Sequence, residues 1–173
     1  TKAFCLGDVT WQLRDGKRLI GAACLDYSRL DISKGWLCWR TQKNGANGEI
    51  RMFTQPDADN YSWIKFMYSI VRRFVALCGP TDFTTPLSVY RAASGVIHLL
   101  TAVDVERIMR QVAAKVYNLD PTTKAGKEAL QLWSCHSLRV GACVLLHTMN
   151  FTEPQIKWLL RWKSNAFMVY LRN

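Results

Sequence analysis

Four residues near the C-terminal end carry side chains that together can hold and attack a phosphodiester: His136, Arg139, Trp162 and Tyr170. His136 and Arg139 stand three apart in Cys135-His136-Ser137-Leu138-Arg139-Val140-Gly141-Ala142-Cys143, so on a helix they share one face and point at one anion. Arg139 offers a planar fork of donors that matches phosphate oxygens. Trp162, in Leu160-Arg161-Trp162-Lys163-Ser164, supplies one indole N–H donor, and Tyr170 a phenol. A fixed cation, further donors and an oxygen nucleophile are what covalent transfer at phosphorus needs. Arg161 and Lys163 flank the group, either as phosphate contacts or as solvated charges.

Each of these residues has a plainer reading. His136 alone fits a helix N-terminal or core histidine, and Arg139 alone a surface ion-pair partner. Trp162 lies in a helical stripe with Ile156, Leu159 and Leu160, which suits a core position. Tyr170 fits a buried helix tyrosine. The four in order favour the site; His98 and His147 read as structural.

The elements that must position these side chains fall into two textures. Up to about residue 60 the chain is strand-like, with β-type runs at Phe4–Trp11, Leu19–Tyr27 and Glu49–Thr54 and a turn signal at Asp15-Gly16. Residues 40–48 hold Asn44-Gly45 and Asn47-Gly48, which favour positive φ, so a hairpin-like turn exposes the cations Arg40 and Lys43. Beyond, helices dominate. Trp63, Phe66, Met67, Ile70, Val71, Phe74, Val75 and Cys78 recur at helical spacing until Gly79-Pro80 stops the run. Thr101 caps a helix to about Tyr117, with Val105, Ile108, Met109, Val112 and Val116 inward. Asp120–Lys127 reads as a loop, and His136 to about Thr148 as a helix. Thr152 caps a helix through Trp162 with Glu153 and Pro154 in its first turn, and Ser164–Leu171 closes the series. The expected fold is α+β, a small antiparallel three-stranded sheet followed by a mostly helical bundle.

Composition narrows the partners. The 173 residues are 49% hydrophobic and 21% charged, as in a globular chain, and carry a formal net charge of +10. That balance favours a polyanion, either nucleic acid or an anionic membrane surface. His136–Asn173 holds Arg139, Lys157, Arg161, Lys163 and Arg172 against Glu153 alone, which brings a phosphate forward and moves a membrane back. No stretch is long and apolar enough to span a bilayer. The six cysteines form no C-x-x-C pair and read as reduced thiols of an intracellular protein. There is no G-x-G-x-x-G, Walker A loop, H-E-x-x-H or Gly-x-Ser-x-Gly elbow. The strands show no aromatic stacking pattern of the kind single-strand binders use, so a general RNA-binding module is disfavoured.

The stretch His136–Asn173 resembles the C-terminal half of the tyrosine recombinase (phage integrase) catalytic domain. "HSLRVGA" and "YLRN" are similar to its Cre-like members, and "RWKSNAFMVY" to the recombinases of eukaryotic tyrosine-recombinase retroelements. The resemblance maps the family's H-x-x-R pair, its His-or-Trp position and its nucleophile onto His136, Arg139, Trp162 and Tyr170. It implies a lysine general acid in a turn of the sheet, at Lys43 with Lys34 as the alternative, and DNA contacts at Arg40, Arg161 and Lys163. It implies attack by Tyr170 on a DNA phosphate, a 3′-phosphotyrosine link and a free 5′-hydroxyl. No metal and no nucleotide cofactor is implied. Residues 1–173 would then be a tyrosine recombinase catalytic domain. The family's first catalytic arginine and N-terminal DNA-clamping domain would lie upstream of Thr1, so the chain alone is expected to bind DNA without efficient cleavage. The implied partner is duplex DNA, on which the full-length protein would act as a homo-tetramer, in the nucleus of a eukaryotic host or the cytoplasm of a prokaryotic one. The alternative is a DNA-binding remnant of a mobile-element recombinase that no longer cuts.

Overall fold

The computed structural model describes residues 3–41, 47–54, 62–162 and 164–171. They belong to two compact units, Thr1–Leu100 and Thr101–Asn173.

The first unit is a mixed α+β arrangement around an antiparallel sheet. Strands β1 (Val9–Leu13), β2 (Arg18–Ile20), β3 (Ile32–Trp39) and β4 (Glu49–Thr54) run in the order β2-β1-β3-β4. This corrects the expectation of three strands. The unforeseen strand is β3, the longest, which pairs with both β1 and β4. Lys34 and Gly35 interrupt its apolar pattern, so no period-2 alternation marks it, and only its two neighbours make it a strand. The run Leu19–Tyr27 is a strand only to Ile20: Gly21 takes φ 55° and the chain winds into a 3-10 helix, Gly21–Asp26. The run Phe4–Trp11 is a strand only from Val9, because Leu6–Asp8 form a 3-10 turn in which the Asp8 carboxylate accepts the Cys5 N–H at 2.8 Å. A separate hairpin, β5 (Val89–Arg91) with β6 (Ile97–Leu99), was not foreseen from the pattern.

Helix α1 (Trp63–Cys78) has the limits its spacing predicts. Ser62 caps it by accepting the Lys65 N–H at 3.3 Å, and Gly79 ends it with φ 90°. Ile64, Val71 and Phe74 are fully buried with Trp11, Val9 and Ile32, whereas Phe66 of the helical repeat is exposed. Because α1 packs on β3 and β4, the change of texture near residue 60 falls inside one unit, and the division comes at Leu100. The Trp11 indole N–H donates to the Gly21 carbonyl at 3.0 Å, which satisfies a polar group at the centre of this core.

The second unit is helical. It comprises α2 (Ala102–Val116), α3 (Lys124–Gln131), α4 (Cys135–Thr148), α5 (Glu153–Leu159) and a 3-10 segment, Asn165–Leu171. Thr101 caps α2 with Asp104 in a reciprocal box, as its sequence predicts. Of the α2 residues expected inward, Val105 and Met109 are half-buried while Ile108, Val112 and Val116 are exposed; Ala113 is the buried one. A helix that packs mainly on α3 and α4 covers a narrower stripe than its apolar residues offer. The expected loop Asp120–Lys127 is shorter than its polar composition suggested: Thr123 accepts the Gly126 N–H at 3.0 Å and starts α3.

All six cysteines are free thiols, and burial pushes that of Cys24 up to about 12. No single helix among the described residues is long and apolar enough to cross a membrane; α3 and α4 reach that length and hydropathy only together, bent by 60° at their junction.

A Cβ added at Gly35 would sit 2.3 Å from Cζ3 of Trp63. That ring is stacked on Phe53, centroids 4.2 Å apart, and tilted against Trp11 at 5.8 Å, so it is held on both sides. Gly35→Ala is expected to cost about 1–3 kcal/mol through overpacking. A lower urea midpoint at unchanged slope is the expected reading, and a variant as stable as its parent contradicts this packing.

Candidate functional site

Helix α4 presents His136 and Arg139 from its first turns, and its start is braced from α2. Glu106 accepts the Cys135 N–H at 3.2 Å and pairs with Arg110 at 3.3 Å, while Arg110 Nε donates to the Trp133 carbonyl at 3.1 Å. A carboxylate at a helix N-terminus satisfies an orphan donor and complements the helix dipole. Ser137 adds a local clasp, accepting the Ser134 N–H at 3.1 Å and donating to the Leu132 carbonyl at 2.9 Å.

Helix α5 starts on Thr152, whose N–H and hydroxyl both donate to the Gln155 side-chain oxygen at 2.8 and 2.9 Å, with Pro154 in the first turn. It ends earlier than the expected limit at Trp162. The Trp162 N–H donates to the Lys157 carbonyl at 2.9 Å and the Arg161 N–H to the Trp158 carbonyl at 3.3 Å. This pair of bonds is a Schellman closure, which needs a left-handed residue after the helix. Arg161 fills that place with φ 58°, where glycine is usual. The reversal turns Trp162 back toward α4.

The 3-10 segment that carries Tyr170 is seated by Phe167. Its ring is 2% exposed, clusters with Cys143 of α4 and Ile156 of α5, and stacks on Trp162 with centroids 5.1 Å apart. Burial also pushes the Cys143 thiol upward. Lys157 Nζ donates to the Asn165 side-chain oxygen at 3.0 Å and ties the segment's first residue to α5.

The four residues singled out by their types converge. His136 Nε2 and the Tyr170 hydroxyl are 2.9 Å apart, within hydrogen-bonding distance, with the rings edge to face. Arg139 donates from Nη2 to the Leu160 carbonyl at 3.1 Å, and its guanidinium carbon lies 5.0 Å over the Trp162 ring. The Leu160 carbonyl at the C-terminal end of α5 and the indole face therefore hold the cation. Trp162 and Tyr170 stand with ring centroids 5.9 Å apart. His136 and Arg139 are exposed, and Trp162 and Tyr170 half-buried. One of the five Arg139 donors is used by Leu160, and the other four have no acceptor among the described residues. A phenol within hydrogen-bonding distance of an imidazole nitrogen, beside a cation with open donors, has the parts for nucleophilic attack on an anionic centre.

The remaining predicted residues are placed differently. Lys43 and Lys163 lie outside the described residues. Lys34 is half-buried in β3, paired with Gln12 and Thr54, and so stands within a strand and away from a turn. Arg40 is engaged with the buried Asp8 at 2.6 Å, and contact with Cys5 first and Asp8 second holds its guanidinium above the ordinary value. Arg161 forms the left-handed turn after α5. Three contributors were not foreseen: Glu106, Phe167 and the Leu160 carbonyl. Glu106 lies 29 positions from the backbone it braces, and Phe167 read as one more apolar residue of a short helix. Among the described residues no three His, Cys, Asp or Glu side chains are grouped to hold a metal ion. The chain matches no protein-family profile, no curated protein and no solved structure.

The seat and the phenol separate energetically. Tyr170→Phe removes one partly exposed hydrogen bond and is expected to cost no more than about 1.5 kcal/mol. Phe167→Ala opens a buried cavity and is expected to cost about 3–5 kcal/mol. Urea unfolding checks the order, and a larger loss in Tyr170→Phe reverses the assignment of the seat. Arg161→Val, a β-branched residue forced to φ 58°, is expected to lose about 1–2 kcal/mol, while Arg161→Gly stays within about 1 kcal/mol of its parent. Equal stability of the two variants contradicts the left-handed turn.

Proposed function

We propose that the chain is a DNA strand transferase that cleaves and rejoins duplex DNA through a covalent tyrosyl intermediate. The observation that carries this reading is the 2.9 Å contact between His136 Nε2 and the Tyr170 hydroxyl, with Arg139 and Trp162 beside it. The order His136, Arg139, Trp162, Tyr170 is also the order of the tyrosine recombinase motif that this stretch resembles.

In this mechanism Tyr170 Oη forms a bond to phosphorus and the bond from phosphorus to the 5′-oxygen breaks, leaving a 3′-phosphotyrosine. The phenolic proton passes to His136 Nε2. Arg139 binds the nonbridging oxygens through its open donors, where charge concentrates as the bond changes. The Trp162 ring steadies that guanidinium, and its indole N–H is a neutral donor to the same oxygens. Lys43 gives a proton to the departing 5′-oxygen. Rejoining reverses the steps: the 5′-hydroxyl attacks the phosphotyrosine and the phenol leaves, so the phosphodiester energy is conserved without a nucleotide. Because Tyr170 and His136 meet within one chain, the nucleophile acts in cis.

The test is a pool of random-sequence duplexes, each nicked so that cleavage releases a short 5′-hydroxyl fragment and traps the intermediate. It is offered to the chain and to a longer version with whatever residues its gene encodes upstream. An adduct resistant to denaturant is expected, faint for the chain alone, absent in Tyr170→Phe, and reduced about 10²–10³-fold in Arg139→Ala. Binding without cleavage should fall steeply with added salt, as phosphate contacts require. DNA binding by both versions with no adduct in either overturns the strand-transfer reading and leaves a DNA-binding remnant. An adduct that persists in Tyr170→Phe overturns the nucleophile.

A further inference from the structure

Between α2 and α3 the second unit holds an open cleft of about 860 Å3, within the range of ligand-binding clefts, that includes none of His136, Arg139, Trp162 and Tyr170. Ala114, Leu119, Pro121 and Leu130 give it apolar lining, and Leu130 is buried. Arg107, Arg110 and Lys115 on the α2 side and Lys127 on the α3 side give it cations, and no carboxylate lines it.

The cations are not equivalent. Arg107 lies 3.4 Å from Asp104, and Arg110 lies 3.3 Å from Glu106, so those two already have carboxylate partners on their own helix. Lys115 and Lys127 have no ion-pair partner among the described residues, and they stand on different walls. An occupant that meets both must carry negative charge on both flanks and apolar groups between them.

This combination selects among polyanions. A duplex backbone offers phosphates to a rim but nothing apolar to an indented floor. A peptide helix offers both, with apolar side chains on one stripe and carboxylates beside it. From Arg107 to Lys115 the α2 wall runs about 12 Å, which takes about two turns of a guest helix. We infer that this cleft docks a short acidic amphipathic helix of a protein partner, its apolar face on Ala114, Leu119, Pro121 and Leu130 and its carboxylates on Lys115 and Lys127. The inference stands apart from the strand-transfer reading, since no residue of that site takes part.

A displayed library of random peptides about four helical turns long tests it. The library is selected on the full chain and counter-selected on the chain carrying Lys115→Glu and Lys127→Glu. The enriched peptides are expected to be acidic, with apolar residues at i, i+3 or i+4, and i+7. They should bind the parent at least about tenfold more tightly than the double reversal, about 1.4 kcal/mol. Ala114→Trp, which fills the floor without changing charge, should cause a similar loss. Exchanging the peptide's acids for lysines should restore binding to the double reversal, which also shows that this variant is folded. Enrichment of basic peptides, equal binding to parent and variants, or no enrichment over the counter-selection overturns the proposal. A random-sequence DNA duplex that displaces the peptide, and itself loses affinity in the double reversal, overturns it in favour of a DNA-backbone contact.

Discussion

Phe167 is seated between Cys143 of α4 and Ile156 of α5, and the place of the Tyr170 phenol follows from that burial. A 3-10 segment of seven residues has strained hydrogen bonds and little intrinsic persistence. Removing a phenyl ring from water contributes roughly 1.5–3 kcal/mol, enough to hold such a segment where its own backbone bonds would not. Phe167 and Tyr170 are three apart, so in a 3-10 segment they lie nearly on one edge. The buried ring then fixes the direction of the half-buried phenol on the same edge, and His136 meets it at 2.9 Å. Trp162 stacks on the same ring and faces Arg139, so one apolar contact carries the geometry of all four site residues.

The cation at this site is held without a carboxylate. Arg139 rests on the Leu160 carbonyl and the Trp162 face, both weak acceptors of positive charge. A carboxylate partner would neutralise the guanidinium and compete with any incoming anion, whereas a carbonyl and a ring orient it and leave its charge in place. Arg40 shows the contrary arrangement, with its charge committed to the buried Asp8. The second unit carries ten Lys and Arg against five Asp and Glu; Arg139 stands at the Tyr170 site, and Arg107, Arg110, Lys115 and Lys127 line the cleft of α2 and α3. The cleft differs in having an apolar floor, which suits a partner with side chains to bury, where the Tyr170 site offers donors to an anion.

Much of the second unit was legible from residue order because its signals are local. Thr101, Thr152 and the helical runs that follow them announce α2 and α5 through caps and spacing that act within one turn. The sheet was less legible, because a central strand depends on neighbours on both sides. Lys34 and Gly35 lie in β3 because β1 and β4 flank it and because Trp63 packs where a Gly35 side chain would be. The ends of α5 and of the Leu19–Tyr27 run were also misjudged, since Arg161 and Gly21 adopt positive φ that only the surrounding packing demands.

Residue types and spacing alone determined that His136 and Arg139 share a helix face, that Trp162 and Tyr170 follow in order, that the chain is basic, and that helices follow strands. These depend on covalent order and on interactions within a few residues. The tertiary structure decided that the sheet has four strands, that Phe167 seats the segment bearing Tyr170, that Arg139 leans on Leu160 and Trp162, and that Glu106 braces α4 from 29 positions away. Each of those arises between groups distant in the chain, where burial and the satisfaction of orphan backbone groups select the partner and local sequence carries no mark of it.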